Sequence, residues 1–207
     1  MMMENENETT EEITLENANT AEVLGALFGG EGDGLEKAGV HMIMDDIKNE
    51  SVRPAIEWIL RSNLSASQPE YLTLILNSGG GSVTDAFALI DTMKGSGIPI
   101  HTIGLGEVSS AALMIFMAGE KDHRILTPNT SILSHQYSWG KWGKEHELLT
   151  AKRAFDLTSK MILSHYKKCT GMSEKKIRET LLPSHDVWLS AKEAKQYGIC
   201  DAVKELY

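Results

Sequence analysis

Positive charge is missing from one end of this chain and gathers into no stripe elsewhere. Residues 1–36 carry ten acidic residues and no lysine or arginine, and the formal net charge over 207 residues is −9. Proteins that neutralise phosphates present basic side chains on one face, so this balance argues against nucleic acid as a partner. Cysteine is nearly absent. Cys169 and Cys200 are the only two, too few for a disulfide framework and in keeping with a reducing cytoplasm. No apolar run approaches the roughly 20 residues that cross a bilayer. The polar, acidic N-terminal residues do not read as a secretory signal, so a cytoplasmic protein without membrane contact is expected. Metal-ligand spacing is missing as well. His41, His101, His123, His146, His165 and His185 form no ligand pattern with each other or with the cysteines. They read as surface or packing residues, and no metal is expected.

What is present suits one soluble domain. Hydrophobic residues make up 42% and charged residues 24%, and a chain of this length can bury most of its apolar surface. Residues 1–36 cannot build a core from acidic side chains, Asn, Thr and Gly, although an apolar patch at 23–28 interrupts them. A flexible acidic segment over 1–36 and a folded domain over 37–207 are expected. From residue 39 onward, strands over 41–44, 72–76 and 98–104 alternate with helices over 51–63, 84–94 and 109–118. Strand 41–44 reads as buried. Ser51 is placed to cap the first of these helices, with Pro54 in its first turn. Helical spacing puts Ala86, Leu89, Ile90 and Met93 inward. Strand then helix, three times over, predicts an α/β fold with a largely parallel sheet. Later, residues 145–168 form a long amphipathic segment with Leu148, Ala151, Phe155, Ile162 and Tyr166 along one stripe, which needs a surface to cover it. Ser173 can cap a further helix, Pro183 turns the chain, and Ser190 to Glu193 is a capping box that opens the last helix, closed by Gly198.

The chemistry gathers in residues 106–136. Gly106-Glu107-Val108-Ser109-Ser110-Ala111-Ala112 leads into the apolar segment 113–118, and Pro128-Asn129 and His135-Gln136 follow. A serine among small residues at the head of a buried helix suits a nucleophilic hydroxyl, because a carbonyl can approach it and the next N–H can face an oxyanion. Taken alone, a serine before an apolar helix is an ordinary N-cap. Two further stretches change that. Asn77-Ser78-Gly79-Gly80-Gly81 lies between a strand and a helix, where bare backbone N–H groups can meet a negative oxygen. Asp186 precedes the apolar Val187-Trp188-Leu189. Serine, glycine loop, histidine and aspartate make a full set for acyl transfer, and in a parallel sheet such groups collect at the carboxyl ends of the strands.

These elements resemble the proteolytic subunit of the Clp protease. That family carries Gly-x-Ala/Ser-Ala/Ser-Ser, Leu-Pro-Asn, His-Gln-Pro and Asp-x-Phe-Leu/Met-Ser-Ala. Here they stand as residues 106–110, Thr127-Pro128-Asn129, His135-Gln136-Tyr137 and residues 186–191. The similarity covers roughly residues 38–207. It implies a crotonase-like fold of repeated strand–helix units with a protruding handle helix at about 145–168. It implies Ser110 as nucleophile, His135 as general base, Asp186 as the carboxylate orienting the imidazole, and the backbone N–H groups of Gly81 and Ala111 as oxyanion donors. No organic cofactor is implied, ATP being used by a separate unfoldase. The implied partners are copies of the chain in heptameric or double heptameric rings, an AAA+ unfoldase, another subunit of the same type, and unfolded polypeptide as substrate.

The chain departs from the family in several places. Gly79 replaces a proline, Ala111 and Ala112 replace methionine and glycine, and Tyr137 replaces the proline after His-Gln. Thr73, Ile75 and Gly95 occupy positions where family members commonly carry the aromatic side chains that receive unfoldase loops. Poor docking of a standard unfoldase on a ring of this subunit alone is therefore expected. Two other readings stand beside the peptidase: a poorly active structural subunit of a mixed ring, and a crotonase-type acyl-CoA enzyme, which shares the fold and the paired N–H device but has no need of the Ser, His and Asp set.

Overall fold

A computed structural model describes residues 33–206, in two units divided after Ala38. The described residues of the first unit form a short helix, α1 (Asp33–Lys37). The rest of the acidic segment expected over 1–36 lies outside the described residues. The second unit, Gly39–Tyr207, holds the sheet and the candidate site.

Strands β1 (Val40–Ile43), β2 (Leu72–Ser78), β3 (Ile100–Ser109) and β4 (Arg124–Leu126) lie side by side in that order, all parallel, with β7 (Ala202–Val203) parallel beyond β4. Parallel neighbours need crossovers. Helices α2 (Asn49–Leu64), α3 (Val83–Gly95) and α4 (Ser110–Met117) supply them between successive strands. Leu72, Leu74 and Leu76 are buried while Thr73 and Ile75 stay half-exposed, the two-residue alternation of a sheet with one covered face. On the covering side, Ala86, Leu89, Ile90 and Met93 of α3 are its buried residues, as the helical spacing predicts.

Strand β3 is the hinge of the architecture. Its first half pairs with β4 and its last three residues, Glu107 to Ser109, pair instead with β5 (Ser131–Ser134). The bend falls at Gly106, which has a positive φ of 59°. A Cβ there would come within 3.0 Å of the Asn77 amide oxygen, which accepts from the Glu107 N–H. The β2–β3 register shifts at the same place, between Leu76 and Ser78. Strand β6 (Val187–Ser190) then adds to β5 antiparallel. The sheet is thus parallel as expected, with β6 as its antiparallel addition.

Three local expectations differ from what the chain adopts. Among the described residues β1 pairs with β2 alone, and of its residues Ile43 alone is buried while Met42 is exposed. Lys48, not Ser51, is the N-cap of α2, which leaves Pro54 in the second turn. The Ser51 hydroxyl works from inside the first turn instead, accepting from the Lys48 N–H and donating to the Asp46 carbonyl. The long helix α5 (Glu145–Thr170) divides its stripe. Ile162, Leu163, His165 and Tyr166 are buried on the chain's own body, whereas Leu148, Leu149, Leu157 and Met161 are exposed. Gly171 ends it in the left-handed conformation. Short helices α6 (Glu174–Thr180) and α7 (Ala191–Gln196) follow, capped by Ser173 and Ser190 as expected, the latter through a capping box with Glu193. No helix among the described residues is long and apolar enough to cross a membrane.

One ion pair fastens the end of the chain. The Arg124 side chain donates to both oxygens of Asp201 at 2.6 and 2.9 Å and to the Cys169 carbonyl at 2.9 Å, and both partners are largely buried. Burial alone would raise the Asp201 pKa, but hydrogen bonds from Arg124 and its charge outweigh that and hold the carboxyl below the usual range. A depressed carboxylate pKa gives stability that is present above the unfolded-state value and lost as pH falls through the folded one. Asp201→Ala, which strands a buried guanidinium, is expected to cost about 3 kcal/mol at neutral pH. Urea unfolding across a pH series checks this: the gap between wild type and variant should close on acidification.

Candidate active site

Ser110 opens α4 immediately after β3, with a positive φ of 54°, a conformation that L residues rarely adopt. Backbone strain of this kind persists where the surroundings enforce it. Here they do. The register Ser109↔Leu133 carries Ser110 alongside the end of β5, one residue short of His135. Ser110 Oγ lies 2.8 Å from His135 Nε2. Neither serine acts as a helix cap. Ser109 occupies the N-cap position without a side-chain hydrogen bond, and its buried hydroxyl has no partner among the described residues. The Ser110 hydroxyl goes to the imidazole. The N-cap reading of this sequence therefore fails on geometry.

The glycine loop runs against this turn. Gly80 has φ +102°, and a Cβ on it would stand 2.7 Å from Ser110 Cβ, 2.8 Å from the Ser109 carbonyl oxygen and 3.1 Å from the Ala111 nitrogen. Gly81 has φ +146°, and a Cβ there would overlap the Ile47 carbonyl. Ile47 is the residue that sequence reasoning missed. Its N–H donates to the Gly80 carbonyl and its carbonyl accepts from Ser82, both at 2.7 Å, forming a bridge to the loop. These two bonds bypass the Gly81 N–H. Because the contact is main chain to main chain, side-chain pattern gives no signal of it. The Ser78 hydroxyl takes the Gly80 N–H at 3.1 Å, and Ser82 caps α3 through the Asp85 N–H. Gly79 makes no such demand: its φ is outside the left-handed region, and an added Cβ meets only the Glu107 carboxylate at 3.8 Å.

Asp186 precedes β6. The antiparallel pair Ser134↔Val187 makes His135 and Asp186 the next pair along. His135 Nδ1 and Asp186 Oδ1 are 3.9 Å apart, with the Asp186 side chain 64% exposed. That is within reach of an ion pair and beyond a hydrogen bond. The fold therefore brings the nucleophile candidate and its base into contact and leaves the carboxylate about 1 Å outside hydrogen-bond range. Ala111 follows Ser110 in the first turn of α4, where helix N–H groups have no partner inside the helix and the dipole is positive. A cavity of about 380 Å³ lies over these groups, lined by Gly81, Ser82, Val83, Ser110, His135, Tyr137 and Ser138. A larger one, about 680 Å³, lies between α3 and α5 and contains neither Ser110 nor His135. It does hold a thiol beside an imidazole, Cys169 Sγ lying 3.6 Å from His165 Nε2, but that nitrogen is already bonded to the Met114 carbonyl and burial raises the Cys169 thiol pKa, which leaves the thiol unactivated.

The remaining described histidines pack or sit at the surface. His101 stacks between Tyr71 and His123 at centroid distances of 4.3 and 3.9 Å, and His41 stacks on Trp58. Burial, with the neighbouring His123 adding to it, lowers the His101 pKa. His165 is buried and donates from Nε2 to the Met114 carbonyl.

Comparison with known proteins identifies the family of the fold. The family model described as Clp protease matches residues 34–206. The chain is 35% identical over 143 residues to ATP-dependent Clp protease proteolytic subunit 2 of Corynebacterium diphtheriae, covering 69% of this chain and 71% of the relative. It is 32% identical over 145 residues to the protein of the same name from Treponema denticola, covering 70% of each. Among solved structures, a mutant ClpP1 from Listeria monocytogenes superposes with a TM-score of 0.73 at 27% identity, covering 83% of this chain and 94% of that one.

The glycine loop supplies a paired prediction. Gly79→Ala is expected to stabilise the fold by about 0.5 kcal/mol, through the unfolded chain. Gly80→Ala must move the loop away from residues 109–111 and is expected to lower turnover about a hundredfold, the scale of a 1 Å misplacement. Thermal melts and peptide hydrolysis on the two variants check both halves.

Proposed function

This chain belongs to the Clp protease family, and from that premise we propose that Ser110, His135 and Asp186 are its catalytic triad, hydrolysing peptide bonds of unfolded polypeptides. The chain is a serine-type proteolytic subunit of an ATP-dependent Clp protease. One observation carries the assignment of residues: the 2.8 Å contact between Ser110 Oγ and His135 Nε2, made by a serine held at φ 54° at a helix head. His135 takes the hydroxyl proton as Ser110 attacks the carbonyl and returns it to the leaving amine. Asp186 holds the proton-bearing Nδ1 of the imidazole toward itself, once a shift of about 1 Å brings it into hydrogen-bond range. The N–H groups of Gly81 and Ala111 receive the oxyanion, and no metal or organic cofactor takes part. ATP is used by the separate unfoldase.

Assembly and cellular place follow from the same reading. Residues 37–207 form the peptidase domain, with α5 as its handle. The exposed Leu148, Leu149, Leu157 and Met161 of α5 favour contact with further subunits in rings. Work in the cytoplasm suits two cysteines that are both unpaired. Docking of a standard unfoldase on rings of this subunit alone is weak, and a mixed ring with another subunit of the same type relieves it. Supporting that, Thr73 and Ile75 lie on the half-exposed face of β2, and a side chain at Gly95 would meet nothing within 4 Å.

Ser110→Ala is expected to abolish peptide hydrolysis and labelling by a fluorophosphonate probe while the assembly survives. Ser109→Ala should keep labelling and, by removing an unpartnered buried hydroxyl, leave stability unchanged or raise it by up to about 1 kcal/mol. Labelling lost in Ser109→Ala and kept in Ser110→Ala would reverse the assignment.

A further inference from the structure

At Ser134, the residue before His135, three polar groups are buried together. The Ser134 hydroxyl donates to the Leu181 carbonyl at 2.6 Å. Its single proton is thereby used, so the Tyr166 hydroxyl, 3.0 Å away, donates to Ser134 Oγ. Ser134 and Tyr166 are at most 2% exposed. Burial pushes the Tyr166 phenol up to about 12, so it remains a donor across the working range. The relay thus runs from α5 through the last residue of β5 to the chain just after α6. Gln136 reaches the same segment from the other flank of His135, donating to the Leu182 carbonyl at 3.1 Å. That segment leads to Asp186 four residues later. Tyr137 completes the pattern, its hydroxyl donating to the Phe155 carbonyl of α5 at 3.2 Å.

Stability does not require this arrangement. Replacing both members of a buried hydrogen-bonded pair by apolar groups of similar shape is often nearly neutral. What the polar version adds is direction, because hydrogen bonds fix a strand where apolar contacts tolerate slippage. The residue before Tyr166 makes the same kind of tie on the nucleophile's side. At the end of α4 the Ala118 N–H turns to the Ile115 carbonyl, and the Met114 carbonyl is taken by His165 Nε2 at 2.8 Å. Consecutive residues of α5 therefore hold the helix that begins with Ser110 and the strand that ends beside His135.

We propose that Tyr166 and Ser134 are positioning residues for the base. Their buried O–H relay sets the placement of His135 against Ser110, and of the turn that carries Asp186. The proposal rests on His135 being the base, as argued above. Tyr166→Phe removes the relay donor and keeps the ring. The expected result is a fall of about tenfold in kcat, well inside the hundredfold that a 1 Å misplacement costs, with KM within about twofold and melting temperature and sedimentation unchanged. Ser134→Ala should lower kcat at least as far, and the double variant no further than Ser134→Ala alone, since residues in one network are not additive. An unchanged kcat in folded Tyr166→Phe, or losses that multiply in the double variant, overturns the proposal. A readout independent of turnover is the imidazole resonance of His135 in histidine-labelled protein. It should shift in Tyr166→Phe, and an unshifted resonance overturns the proposal even where the enzyme hydrolyses peptide. A wild type that never labels with the fluorophosphonate removes the peptidase reading instead, and the resonance still decides the relay.

Discussion

The approach of Gly80 to residues 109–111 leaves no room for a side chain, and the positions of the other reacting groups follow from that contact. A Cβ at Gly80 would fall 2.7 Å from Ser110 Cβ, so the loop can pass only as bare backbone. Passing there, it must be held from behind. Ile47 does this with two main-chain hydrogen bonds of 2.7 Å. The bend of β3 at Gly106 supplies the opposing surface, turning residues 107–109 away from β4 and onto β5. The left-handed Ser110 is the junction of these two demands, with β3 fixing the residue before it and α4 burying everything after it. Strain at one residue, of order 1–3 kcal/mol, is affordable when seven consecutive buried side chains from Ala111 to Met117 anchor the helix that bears it.

Much of this was written in residue pattern. Alternation of strand and helix gave the parallel sheet, and helical spacing gave the buried face of α3 residue by residue. The Ser190 capping box is local and reads directly. Ser110 and His135 stand out through the resemblance of their flanking motifs to a family pattern, and the structure places their side chains 2.8 Å apart. What escaped depends on long-range main-chain contact. Ile47 looks like any core aliphatic, and its role is played by its peptide. Ser51 has the composition of a cap and is drawn one turn inside the helix because the Asp46 carbonyl waits there. The apolar run of β1 suggests burial, but among the described residues it has β2 as its single partner and Met42 is exposed. Asp186 was identified by its neighbours, but its 3.9 Å separation from the imidazole could come only from coordinates.

Helix α5 shows how one amphipathic stripe can serve two purposes. Spacing put Leu148, Ala151, Phe155, Ile162 and Tyr166 on a single face, and periodicity cannot say what covers each part of it. Its C-terminal half is committed to the chain's own body, with Tyr166 bonded to Ser134, the residue before His135, and His165 bonded to α4, the helix that Ser110 opens. Its N-terminal half keeps apolar side chains exposed. At about 1.5 Å per residue the helix is near 39 Å long, and Leu148, Leu149 and Leu157 stay exposed along its N-terminal half.

The site's weakest geometric element is therefore also its most exposed. Ser110 and His135 follow directly on the paired strands β3 and β5, and their 2.8 Å hydrogen bond needs no adjustment. Asp186 hangs on a turn whose anchors are the Leu181 and Leu182 carbonyls, held by side chains that flank His135 itself. His135 and Asp186 are thus located from the same strand, β5, through its pairing with β6 and the bonds of its flanking side chains. The remaining separation lies with residues 184–186, all exposed, just before β6.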